Sequence, residues 1–217
     1  MPIKDFARAK SRLAPALSTE QCAELAVCMA ADVTATLRAC SAIGHVVCLG
    51  EEPEIQAFAA AHGCEFIAEI PGAGLSVNLD HAARQLQENG AQTLLIVPSD
   101  VPTITPADLD ELLNHHRDGL TICPAGRDGG TNALVISPPT GIGFQFGEQS
   151  CQRHVHAAEA AGIEHRIVQA AAFSYDIDRP EDLEWLCKDD PHGQTRRYLE
   201  QSPICTLFRQ PPSAASA

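Results

Sequence analysis

The chain has 217 residues, a hydrophobic fraction of 45% and a formal net charge of −13. That length suits one α/β domain with a core that needs no covalent staples. The acidity argues against a nucleic-acid partner. No apolar run approaches the roughly 18 residues that span a bilayer, and the opening residues carry no apolar leader, so a cytoplasmic protein without membrane association is expected.

The sign of the charge reverses at the start. Lys4, Arg8, Lys10 and Arg12 stand against Asp5 alone in the first twelve residues, a local +3 that leaves −16 on the remainder. Four of the 15 basic residues in one opening loop fit either a site for a small anion or a solvated charged end, and charge alone leaves both open.

Taken in chain order, Ser18 and Gln21 form a capping box that opens a long helix carrying Leu25, Met29, Val33 and Leu37. Residues 45–49 read as a buried strand, 53–62 as helical, 65–68 as extended and 76–89 as helical. The run 93–97 is apolar on both faces and β-branched, the pattern of a central parallel strand. Pro106 after Thr105 starts a helix that runs to His116. Two strands, 120–123 and 131–137, flank a Gly-rich turn, and a helix over 150–161 stops at Gly162. Residues 165–168 and 173–177 are expected to be extended, Pro180 opens a helix through Trp185, and 210–217 has the composition of a disordered tail. Alternating strands and helices with short links imply an α/β sheet covered on both faces.

Nine cysteines contain no Cys-x-x-Cys pair, and several, such as Cys48, lie inside apolar runs. Reduced thiols acting as small hydrophobes are therefore expected. The histidines show no metal spacing; His154 and His156 are two apart, which on a helix puts them on different faces.

Ligands of open α/β sheets bind beyond the carboxyl ends of the strands, which singles out three junctions. Asp100, between Pro98 and Pro102, follows the strongest strand; a carboxylate there suits Mg²⁺, although a turn-capping role is also open. Asp176 and Asp178 share one strand face, so either could complete a metal site with Asp100, or one could cap the helix at Pro180. The turn 126–132 brings consecutive glycines beside Thr131, and Phe146-Gly147-Glu148-Gln149-Ser150 leads into a helix N-terminus. A further Gly-rich turn, 71–78, holds Gly74 and Asn78 where a base or ribose could pass.

Six blocks occur in a fixed order: Pro2-Ile3-Lys4; Ala9-Lys10-Ser11-Arg12-Leu13; Pro98-Ser99-Asp100-Val101-Pro102; Gly130-Thr131-Asn132-Ala133-Leu134; Phe146-Gly147-x-x-Ser150 with His154; and Asp176-Ile177-Asp178-Arg179-Pro180-Glu181-Asp182-Leu183. Together they resemble the 2-phospho-L-lactate guanylyltransferase family of coenzyme F420 biosynthesis, with its phosphoenolpyruvate and 3-phospho-D-glycerate relatives, from residue 2 to about residue 186. The resemblance implies a GT-A-like nucleotidyltransferase fold with a mixed, mostly parallel sheet and helices on both faces. It places that domain over 1–190, with 191–217 as a C-terminal extension. It implies transfer of a guanylyl group from GTP to a small phosphorylated carboxylic acid with Mg²⁺ as cofactor. By motif, Lys10 and Arg12 would hold the GTP phosphates, with Lys10, Arg12 and Asp100 catalytic; Lys4 and Ser11 of the same loop, and Gly74 and Asn78 of the Gly-rich turn, are further nucleotide-binding candidates. Asp100 with Asp176 or Asp178 would hold the metal, and Thr131, Gly147 and Ser150 the phosphorylated acid.

Two features depart from the family. The apolar strand that usually precedes the Pro-x-Lys block is absent, which is expected to leave a groove in the sheet and suggests a start placed downstream of the true one, or an impaired protein. Arg179 stands where a small Thr is more usual. The other readings are a nucleotidyltransferase of another pathway such as molybdenum cofactor maturation, against which the Gly-Thr-Asn and Phe-Gly-x-x-Ser blocks argue, and a non-catalytic nucleotide-binding module. Which acid is used and whether the chain forms a homo-oligomer are open at this level.

Overall fold

A computed structural model describes residues 1–188 and 193–208; the tail at 210–217 lies outside the described residues. The capping box forms as expected. Gln21 N–H donates to Ser18 Oγ at 3.2 Å and Ser18 N–H to Gln21 Oε1 at 2.9 Å, which starts α1 (Thr19–Ala39). The remaining elements are β1 (Val47–Gly50), α2 (Glu54–Ala61), β2 (Glu65–Ala68), α3 (Leu75–Glu88), β3 (Leu94–Ile96), α4 (Pro106–His115), β4 (Gly119–Pro124), β5 (Thr131–Ser137), α5 (Ser150–Ala161), β6 (His165–Ile167), α6 (Pro180–Lys188), α7 (Gly193–Gln201) and α8 (Ile204–Leu207). None of these helices is long and apolar enough to cross a membrane.

The strands form a parallel pair β1–β2 and a mixed sheet in the order β3-β5-β4-β6. In that sheet β5 is antiparallel to both β3 and β4, and β4 is parallel to β6. Side-chain alternation along β5 sends Leu134 and Ile136 to a core with α3 and α5, and Ala133 and Val135 to a second core with α1 and α4. The expected two-sided α/β arrangement follows from that alternation.

Three local expectations change. First, among the described residues β3 pairs only with β5, and antiparallel, so it is an edge of its sheet rather than a central parallel strand. An apolar groove of about 270 Å³ separates it from β1, lined by Leu37, Val46, Leu79, Leu86, Leu95 and Leu113 among others. A groove in the sheet was expected, and this one lies between β1 and β3. Pro2 itself makes a single parallel bridge to Leu49. Second, 173–177 is not a strand. A 3-10 turn over Ala171–Phe173 buries Phe173, and the following residues bond singly to loops, Gly126 N–H donating to Ser174 O and Ile177 N–H to Asp100 O. Third, Cys187 and Cys205 form a disulfide between α6 and α8, contrary to the expectation of reduced thiols throughout. The pair is 18 residues apart, with no spacing motif, and meets only because the two helices pack together. The other cysteines behave as expected: Cys22, Cys40, Cys48, Cys123 and Cys151 are buried and free.

Helix α7 docks on α1 through a carboxylate borrowed from the middle of that helix. Asp32 Oδ1 accepts from Gln194 N–H at 2.8 Å and Oδ2 from Thr195 N–H at 2.7 Å, satisfying otherwise orphaned donors at the α7 N-terminus. Leu199 and Ile204 of the C-terminal helices join Leu13, Leu25, Met29 and Leu183 in a shared cluster.

Candidate active site

The basic loop is held from below by apolar residues. Ile3 and Phe6 are buried against α1 and α2, and Leu13 against α1 and α6. Backbone bonds from Ile3 N–H to Leu49 O and from Leu49 N–H to Met1 O tie its start to β1. Lys4, Arg8, Ser11 and Arg12 are left exposed between these anchors. Lys10 points the other way. Its backbone is left-handed, with φ 58°, an uncommon state for a non-glycine residue. Its side chain is only 7% exposed.

Lys10 Nζ lies 2.6 Å from Asp100 Oδ2 and 2.8 Å from Asp178 Oδ1, and Arg12 Nη1 reaches Asp178 Oδ2 at 3.3 Å. Asp100, Asp176 and Asp178 each offer a carboxylate oxygen, all within 4.8 Å of one another. The Asp100 turn and the 176–178 segment are joined by the Ile177 to Asp100 backbone bond, which fixes the cluster's span. Asp100 Oδ1 is buried and has no hydrogen-bond partner among the described residues. Hard oxygen donors, an orphaned buried carboxylate oxygen and a cation already seated between two of the acids all fit a divalent cation such as Mg²⁺.

The electrostatics of the three differ. Burial pushes the Asp178 carboxyl up, but the Lys10 ammonium, and then Arg12 and Lys4, outweigh it and hold the group below its ordinary value. Asp176 is raised by burial and by the Asp100 charge, against a 3.4 Å hydrogen bond from Asn132 Nδ2. Lys10 itself is raised, because the attraction of Asp100 and Asp178 exceeds the cost of burial.

The open alternative at the last junction resolves through a residue that the sequence reading left without a role. The helix cap is Asp182, which is 2% exposed; its Oδ2 accepts from Asp178 N–H at 2.9 Å and from Arg179 N–H at 2.7 Å. Both Asp176 and Asp178 carboxylates are thereby left to the cluster. Arg127, from the Gly-rich turn, forks onto the same Asp182, with Nη1 on Oδ2 at 2.9 Å and Nη2 on Oδ1. An acidic residue two places after the proline that opens a helix was a legible capping signal; its Arg127 partner, 55 positions away, was not.

The residues expected to bind the phosphorylated acid form a second group. Ser150 Oγ donates to Thr131 Oγ1 at 3.0 Å, and Thr131 Oγ1 is 3.2 Å from His154 Nδ1. Gln145 N–H donates to His154 Nε2 at 2.9 Å, so Nδ1 carries the proton and donates to Thr131. Ser150 and His154 are fully buried and Thr131 nearly so, whereas Gly147, at φ 120°, is exposed. The Gly-rich turn is stitched to the start of α5, with Cys151 N–H donating to Gly129 O at 3.0 Å. Asn132, next to Thr131, reaches Asp176 and so links this group to the carboxylates. Gly74 caps α3 in open surroundings. Asn78 is buried, with Oδ1 accepting from Ile70 N–H at 2.8 Å and Nδ2 donating to Ala73 O at 3.4 Å, so its amide shapes the 70–74 turn. The apolar groove beside β3 shares no residue with the carboxylate cluster and suits no polyphosphate.

Burial, and then Arg153, lowers His154 to about 4. The unfolded side chain takes up its proton near 6.5. Between those values the unfolded state binds more protons, so stability falls as pH drops from about 6.5 to about 4, by up to about 3 kcal/mol. Urea denaturation at pH 7 and 4.5 should show this loss in the wild type and a shallower pH dependence in His154→Gln; parallel slopes would exclude His154 as the source.

Residues 1–214 match the family described as "Guanylyl transferase CofC like". A phosphoenolpyruvate guanylyltransferase from Sphaerobacter thermophilus is 33% identical over 194 residues, covering 89% of this chain and 93% of that protein. A 3-phospho-D-glycerate guanylyltransferase from Colwellia psychrerythraea is 31% identical over 188 residues, covering 86% and 89%. Among solved structures, one described as a nucleotide-diphospho-sugar transferase from Desulfovibrio desulfuricans superposes with a TM-score of 0.77 at 19% identity, covering 95% of each chain. A nucleotidyl transferase from Methanothermobacter shares the fold with a TM-score of 0.60 at 16% identity, covering 93% of this chain and 98% of that one.

Proposed function

The chain belongs to the CofC-like guanylyl transferase family, and we propose that it joins the guanylyl group of GTP to a small phosphorylated carboxylic acid, phosphoenolpyruvate or 3-phospho-D-glycerate, within coenzyme F420 biosynthesis. The observation that carries this reading is the Asp100, Asp176 and Asp178 cluster beside a loop of exposed basic residues. A phosphate oxygen of the acid attacks the α-phosphorus of GTP, a P–O–P bond forms, the α–β bond breaks, and diphosphate leaves. Several negative charges converge in that step, so positioning and charge neutralisation dominate, and no covalent nucleophile is needed.

Asp100, Asp176 and Asp178 would hold Mg²⁺, which supplies neutralisation of the nucleotide phosphates when bound. Arg12, Lys4 and Lys10 bind the triphosphate. The hydroxyl of Thr131 accepts from both His154 Nδ1–H and Ser150 Oγ–H, so its own proton is free to donate to the phosphorylated acid. Gly147 and the start of α5 complete that side.

Incubation with GTP, Mg²⁺ and each acid in turn should release diphosphate with one of them, with a guanylylated product identified by mass spectrometry. GTP binding without turnover of any acid would leave a binding module. Arg12→Ala is expected to weaken GTP binding by about 1–3 kcal/mol, the scale of a charge-assisted hydrogen bond; unchanged affinity by calorimetry would remove Arg12 from the phosphate site.

A further inference from the structure

We propose that Lys10 is a tethered counter-ion that keeps the divalent-cation position filled until a nucleotide triphosphate draws its ammonium onto phosphate. This rests on the reading of Asp100, Asp176 and Asp178 as metal ligands. Two roles fall on one ammonium: the motif assigns Lys10 to the nucleotide phosphates, while the structure seats it 2.6 Å from Asp100 Oδ2 and 2.8 Å from Asp178 Oδ1. A divalent cation bound by those same oxygens would sit against the ammonium, so the two cannot occupy them together. Seated where it is, Lys10 takes one oxygen each from Asp100 and Asp178, and Arg12 draws on the other oxygen of Asp178. Asp100 Oδ1 is left buried and without a hydrogen-bond partner among the described residues, an oxygen that a metal can use once the ammonium has moved.

Lys10 stands between two 3-10 turns, Phe6–Arg8 and Ser11–Leu13, in a left-handed backbone state, and its flexible four-carbon stem lets the ammonium reorient by side-chain torsions alone. Arg12, 69% exposed on the same loop, marks the side from which an anion arrives. Exchange makes metal binding depend on nucleotide: the carboxylates bind a divalent cation weakly alone and strongly once the triphosphate has taken the ammonium.

Manganese titration of the full chain without nucleotide, read by electron paramagnetic resonance, tests this. Lys10→Gln is expected to bind Mn²⁺ at least tenfold more tightly than the wild type, and the added Asp100→Asn change should abolish the gain. A measurement on the wild type alone decides the matter if Lys10→Gln does not fold. The chain has three lysines, so acetylation of Lys10 by acetic anhydride can be referenced by mass spectrometry to exposed Lys4 and Lys188. Saturating Mn²⁺ should raise Lys10 acetylation several-fold without changing the other two. Equal Mn²⁺ affinity in wild type and Lys10→Gln, with binding still lost in Asp100→Asn, overturns the exchange while keeping the metal site, as does unchanged Lys10 acetylation. Mn²⁺ binding that ignores Asp100 overturns both.

Discussion

Asp100→Asn should reduce diphosphate release by about three orders of magnitude or more, the scale of losing several kcal/mol of charge stabilisation at a metal-assisted step. The fold should survive. Among the described residues Asp100 Oδ1 has no hydrogen-bond partner to lose and Oδ2 accepts from Lys10, while the loop's backbone bond to Ile177 is independent of the side chain. The variant also removes one of three crowded negative charges. A melting temperature within a few degrees of the wild type, together with lost turnover, is the expected pair of measurements. Activity within tenfold of the wild type would sink the assignment of Asp100 to the metal.

Asp182→Ala carries the second large effect, on stability and activity together. Its buried carboxylate serves two backbone N–H groups at the start of α6 and the Arg127 fork. Losing a cap and one partner of a half-exposed ion pair costs about 1–3 kcal/mol. Arg127→Ala should cost less, because Arg127 is 42% exposed and Asp182 keeps its two backbone donors. Asp178 N–H is one of the donors released in Asp182→Ala, so a carboxylate of the cluster loses its anchor and turnover falls even at temperatures where the chain remains folded. Denaturant unfolding of the two variants checks the order. Equal losses, or a smaller one in Asp182→Ala, would show that the Arg127 contact, rather than the cap, carries the stability.

How much of this was legible beforehand depends on the range of each interaction. The Ser18–Gln21 box, the Pro106 start and the Gly162 stop were read correctly because each is a bargain struck within one helical turn. The order of six short blocks was enough to indicate the family, and so the residues that converge on the site. The structure brings Lys10, Asp100, Asp176 and Asp178 together as that order implied. The stretch 173–177 misled, since Phe173 and Ile177 are buried by a 3-10 turn and loop contacts rather than by a ladder, and Tyr175 is exposed.

The sequence by itself therefore determined the helices from Thr19 as far as Trp185, the starts at Ser18 and Thr105 and the stop at Gly162, and the family, all carried by local patterns, whereas α7 and α8 were not expected. Only the tertiary structure decided that β3 is an edge beside a groove, that Cys187 meets Cys205, that Asp182 rather than Asp176 or Asp178 caps α6, and that the opening loop turns one of its cations inward. That last feature sets Lys10 against acids 90 and 168 residues away. A local charge count registers four cations near the start of the chain, but the direction in which each points is set by which apolar neighbours, here Ile3, Phe6 and Leu13, are pulled into the core.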